Sequence, residues 1–192
     1  MNAQLFERSR GVNMDDDLKE IESQLRNFLK GASSLVVLGI GNDIRGDDGL
    51  GPYIIEELSL KREKLLESSD ISSIFDLNEL FLINGGSVPE NFTSKIKSLD
   101  PSHIILIDAS LMNRNPGDIE IVDKENISNV SISTHSMSLA YLIKFLELEK
   151  PYEILFIGIE PESMELSFEL SDTVKKASDK LIDILFSAIL NA

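Results

Sequence analysis

Residues 35–52 read LVVLGIGNDIRGDDGLGP. A continuous apolar run, Leu35 to Leu38, is followed by a glycine-rich loop and then by Pro52, which opens a stretch of helical spacing to about Glu67. A short apolar run bounded by turn residues reads as a strand covered on both faces, and proline in a first helical turn sacrifices no hydrogen bond. The stretch therefore predicts strand, loop, helix, the opening unit of an α/β sheet.

The same alternation continues outward from it. Leu80 to Ile83, Ile104 to Ile107 and Ile154 to Ile157 are further candidate strands, and Pro89 to Leu99, Ser138 to Leu148 and Thr173 to Leu190 are candidate helices, the last capped by Ser171 or Asp172. A weaker strand, Ile119 to Val122, follows the turn Asn115-Pro116-Gly117-Asp118 too closely for a helix to intervene, so it pairs antiparallel at an edge. Ser68 to Asn78 lacks a clean period and reads as an insertion or a loop with a short strand. Upstream, residues 1–13 form a tail without a hydrophobic period. Asp15 to Asp17 then lead into Leu18, Ile21, Leu25, Phe28 and Leu29, an extra helix within 14–31 ended by Gly31, whose apolar stripe packs on the core. The expected fold class is α/β, a three-layer α-β-α arrangement with a mostly parallel sheet and one antiparallel edge strand, in a single domain over 14–192.

Composition narrows the function. With 18 Lys plus Arg against 33 Asp plus Glu, the net charge of the 192-residue chain is −15, which repels phosphate backbones and anionic membrane surfaces. No nucleic-acid partner is expected, and no stretch is long and apolar enough for membrane insertion. There is no cysteine, hence no disulfide, thiolate zinc site or cysteine nucleophile, and only two histidines. Cytoplasmic residence is the expectation, since the first residues lack the apolar centre of a signal peptide.

In an open α/β sheet ligands bind beyond the carboxyl ends of the strands. The loop after the first strand fails as a dinucleotide fingerprint, which requires glycine at Ile44, and as a P-loop, which requires Lys-Ser/Thr at Asp47-Asp48. Two carboxylates before a helix would repel a phosphate, so the acids themselves become candidates; their alternative role is to cap the following helix. Asp108 closes the apolar run from His103, placing an ionisable group at the mouth of the crevice, where burial demands a partner. His135 precedes a helix near the strand ends and completes a set of two carboxylates and one imidazole: Asp48, Asp108 and His135. His103, at the start of a strand, belongs to the opposite edge. A serine hydrolase lacks support, because Gly85-Gly86-Ser87-Val88-Pro89 has proline where a nucleophile elbow has glycine.

Gly39-Ile40-Gly41-Asn42 with Gly46-Asp47-Asp48-Gly49-Leu50-Gly51, Gly86 to Asn91, Ile107-Asp108-Ala109 and Thr134-His135-Ser136, in this order, resemble the hydrogenase maturation endopeptidases of the HycI-like group. The resemblance covers about Leu35 to Leu190. It implies a twisted five-stranded sheet between helices and an endopeptidase that removes the C-terminal extension of a [NiFe] hydrogenase large-subunit precursor after nickel insertion. It also implies that Asp48, Asp108 and His135 are the metal ligands and catalytic groups. Nickel would arrive on the precursor and be bound weakly by the free enzyme, since two hard oxygens and one imidazole do not saturate a transition metal. Two other functions remain compatible with these residues: a non-catalytic, nickel-checking or chaperone-like binder of the precursor, and a generic metal-dependent hydrolase.

Overall fold

The computed structural model describes residues 14–68, 73–124, 127, 139–148 and 150–192. Five strands form one sheet: β1 (Leu35–Ile40), β2 (Leu80–Gly86), β3 (His103–Ala109), β4 (Ile119–Asp123) and β5 (Glu153–Ile159). Their spatial order is β2-β1-β3-β5-β4; the first four are parallel and β4 runs antiparallel to β5 at the edge. All five expected strands are present, each extended by one to three residues, because the hydrogen-bond ladder continues beyond the purely apolar positions.

Period-two alternation divides the sheet residues between two cores. Leu35, Val37, Ile105, Ile107, Leu155 and Ile157 face one helical layer, formed by α1 (Met14–Leu29), α2 (Leu50–Glu67) and α5 (Asp172–Leu190). Val36, Leu38, Ile104, Leu106, Ile154 and Phe156 face the other, formed by α3 (Thr93–Leu99) and α4 (Leu139–Leu146). Helix α1 packs on α5, burying Ile21, Leu25 and Leu29, so its stripe joins the core as expected. Ser171 is the cap of α5, accepting from the Val174 N–H.

Two local expectations change. The segment from Pro89 begins as a 3₁₀ turn, Pro89–Phe92, and only then becomes α3, with the Thr93 hydroxyl donating back to the Glu90 carbonyl at 2.8 Å. Within 68–78 the described residues form a loop and a 3₁₀ turn, Leu77–Glu79, without a strand; Phe75 and Leu77 turn into the core and the Ile74 N–H donates to the Leu190 carbonyl. The 1–13 tail lies outside the described residues.

The chain leaves β1 toward β2 on one side and enters β3 on the other. The carboxyl ends of β1 and β3 therefore border the topological switch point, where an open α/β sheet parts to admit a ligand. The start of α2 is drawn tightly against β1 there. A Cβ on Gly51 would overlap the backbone of Ile40, so glycine is what allows the turn carrying the acids to sit at the end of the strand.

Candidate active site

Between β1 and α2 the chain makes a 3₁₀ turn, Gly46–Gly49, that packs on β3. Asp48 lies in this turn and is 3% exposed; Asp108, in β3 beside Gly158 of β5, is fully buried. Two buried acids thus lie near the carboxyl ends of β1 and β3, Asp48 in the turn after β1 and Asp108 within β3 itself. His135 lies outside the described residues, and among those residues no three His, Asp or Glu side chains form a set able to hold a metal.

His103 occupies the amino end of β3, at the far edge of the sheet. Its ring meets Phe28 of α1 edge-on at 5.1 Å between centroids, and its Nδ1 is 2.9 Å from the Ser102 hydroxyl. Burial holds its pKa below the usual histidine range, partly opposed by Glu153 and by a hydrogen bond to the Phe28 backbone. It is a packing residue.

Neither acid of the turn caps α2. The cap position is Gly49, without a side-chain bond. Asp47, fully buried, has a different role: Oδ2 accepts from the Glu162 and Ser163 N–H groups at 2.8 Å each and from the Ser171 hydroxyl at 3.0 Å, while Oδ1 accepts from the Ser171 N–H at 2.7 Å. Asp47 fastens the segment between β5 and α5 to the turn, and Asp48 is its buried neighbour in a turn that packs on β3.

A family model described as hydrogenase maturation protease matches residues 66–188. The hydrogenase 3 maturation protease of Escherichia coli is 33% identical over 143 residues, covering 74% of this chain and 82% of that protein. Among solved structures, the [NiFe] hydrogenase maturation protease HycI of Thermococcus kodakarensis superposes with a TM-score of 0.72 at 26% identity, over 88% of this chain and 99% of its own. The solution structure of the E. coli endopeptidase HycI gives 0.66 at 31% identity, over 82% and 92%. The chain belongs to the hydrogenase maturation protease family. It is a hydrolase, and the mixed five-stranded sheet flanked by helices is the fold it shares with these structures.

The protease also holds a buried acid that the sequence reading missed. Glu160 directly follows β5, as Asp108 lies near the end of β3, yet its Oε2 accepts the Met112 N–H at 2.6 Å and the Arg114 N–H at 3.2 Å, tying down the loop after β3. Its signal was available, since it too ends an apolar strand, Ile154 to Ile159. An acid at a strand end therefore marks the crevice without revealing whether it serves a ligand or the backbone.

Proposed function

We propose that this protease removes the C-terminal extension of a [NiFe] hydrogenase large-subunit precursor, in the cytoplasm, once nickel has been inserted. The supporting observation is the pair of buried carboxylates, Asp48 and Asp108, delivered to the switch point by β1 and β3. Carboxyl oxygens withdrawn from water are satisfied by donors or by a cation. Hard oxygens of this kind fit a divalent ion that already carries softer ligands from elsewhere, and a chain without cysteine provides none of those itself. Nickel is accordingly part of the substrate: the precursor brings it, and Asp48, Asp108 and His135 complete its shell.

In that complex Asp48 and Asp108 hold the metal-bearing end of the peptide in the crevice. The metal supplies Lewis acidity toward the scissile carbonyl or a fixed point that positions it; in the second case a carboxylate accepts the proton of the attacking water. The proton then passes to the leaving amine, so that one water is consumed and two termini result.

The test is to incubate the protein with precursor prepared with and without nickel and to look for the released C-terminal peptide by mass spectrometry. Release from the nickel-loaded form alone is expected, together with weak nickel binding by the isolated enzyme in calorimetry. Tight binding by the free enzyme and equal cutting of both precursors would overturn nickel checking. Stable binding without any cut would favour the chaperone-like reading, and cleavage of unrelated peptides would favour a generic hydrolase.

A further inference from the structure

The segment after β5, residues 161–171, reads PESMELSFELS and contains no Lys or Arg. Leu166 and Phe168 within it are each 84% exposed, more than any other large apolar side chain among the described residues. Such exposure is unremarkable on a loose loop, but this loop is held firmly. Besides the four bonds to the Asp47 carboxylate, the Asp47 N–H donates to the Ser163 carbonyl, the Gly46 N–H donates to the Ser167 carbonyl, and the Ser167 N–H donates to the Ile44 carbonyl. Ser167, between the two exposed residues, bridges to Arg45. Gly46, at φ +54°, lets the arm lie this close, since a Cβ there would come within 2.9 Å of the Ser163 carbonyl oxygen. The arm is stitched to the very turn that carries Asp48.

From this juxtaposition we infer that residues 161–171 form a preorganised docking arm whose Leu166 and Phe168 enter an apolar recess on the hydrogenase precursor, rimmed by basic side chains. The inference rests on the proposed function for the identity of the partner. Ordering before binding removes the entropic cost that a flexible loop would meet on association, and two large apolar groups carried on a fixed backbone have the character of interface anchors. The basic rim follows from charge complementarity: Glu162, Glu165 and Glu169 surround the two anchors. A second copy of the same chain fits poorly, because it would bring another −15 to an acidic arm.

The experiment compares wild type, the Leu166→Ser/Phe168→Ser double variant and a conservative Leu166→Met/Phe168→Tyr variant. The probe is the nickel-loaded large-subunit precursor with its extension intact, and both affinity and cleavage kinetics are measured. The double variant is expected to show a KM and Kd raised on the order of 100-fold, an unchanged kcat at saturating precursor and a wild-type melting curve; the conservative variant should stay within a few-fold of wild type. Glu165→Lys with Glu169→Lys should slow association at low salt. An unaltered Kd in the double variant would overturn the docking arm while leaving the protease reading intact. A wild-type enzyme that binds through these residues yet releases no peptide would overturn the protease reading and keep the arm. Loss of kcat at unchanged KM, or self-association of the free enzyme abolished by the double variant, would also overturn the arm as a precursor site.

Discussion

Replacing Asp47 with alanine separates the two adjacent acids experimentally. The substitution removes the acceptor of three backbone N–H groups and one hydroxyl, all reaching the carboxylate at 2.7–3.0 Å. A buried donor left without a partner costs about 1–3 kcal/mol. Glu162 and Ser163 are exposed, so their N–H groups can turn to water, whereas Ser171, partly buried at the cap of α5, has less recourse. The net loss is about 3–5 kcal/mol, a large share of the roughly 5–15 kcal/mol that holds a domain folded. In a chain of this length it corresponds to a fall in melting temperature of about 10 °C. Thermal unfolding followed by circular dichroism at neutral pH measures it, with Asp43→Ala, an exposed acid of the same loop, as the control expected to melt like wild type. Should Asp47→Ala melt within about a degree of wild type, the carboxylate would not be the fastening of the arm. Loss of processing in such a stable variant would move Asp47 into the reacting site.

Asp48→Asn and Asp108→Asn should each abolish peptide release in the cleavage assay while the protein still folds, because each substitution keeps the volume of a buried side chain. His103→Ala should process precursor normally, and its pH dependence is defined: the folded state holds the imidazole below its usual pKa, so the unfolded chain binds more protons and stability falls as pH drops from about 6.5 toward the lowered value. Denaturant titrations at pH 7.5 and 5.5 should show a smaller acid loss in a His103→Gln variant than in wild type; equal losses would contradict burial as the cause. Gly51→Ala should destabilise the protein by several kcal/mol or prevent folding, since its methyl group meets the Ile40 backbone rather than a movable side chain, and soluble yield with thermal melting would report it.

The local pattern of the chain determined the strands, most helix boundaries, the antiparallel edge and the presence of acids at the ends of β1 and β3. Each of these follows from properties readable over a few residues: Leu35 to Leu38 is a buried strand because it is short and wholly apolar, and Ser171 caps α5 because its hydroxyl precedes a helical run. His103 was placed at the opposite edge by the same reasoning, since the start of a parallel strand and its carboxyl end cannot share a crevice. Tertiary structure alone decided which backbone groups Asp47 and Glu160 hold. Asp47 and Asp48 are neighbours with identical side chains, yet it is Asp47 that accepts from donors 115 to 124 residues away. Glu160 and Asp108 end strands in the same manner, but only the packing of the loop after β3 commits Glu160 to backbone N–H groups. The arm bearing Leu166 and Phe168 was equally illegible, because its order comes from bonds to a turn more than a hundred residues earlier in the chain. Periodicity is written into consecutive residues, whereas the partner of a buried polar group is chosen by which distant backbone the fold brings beside it.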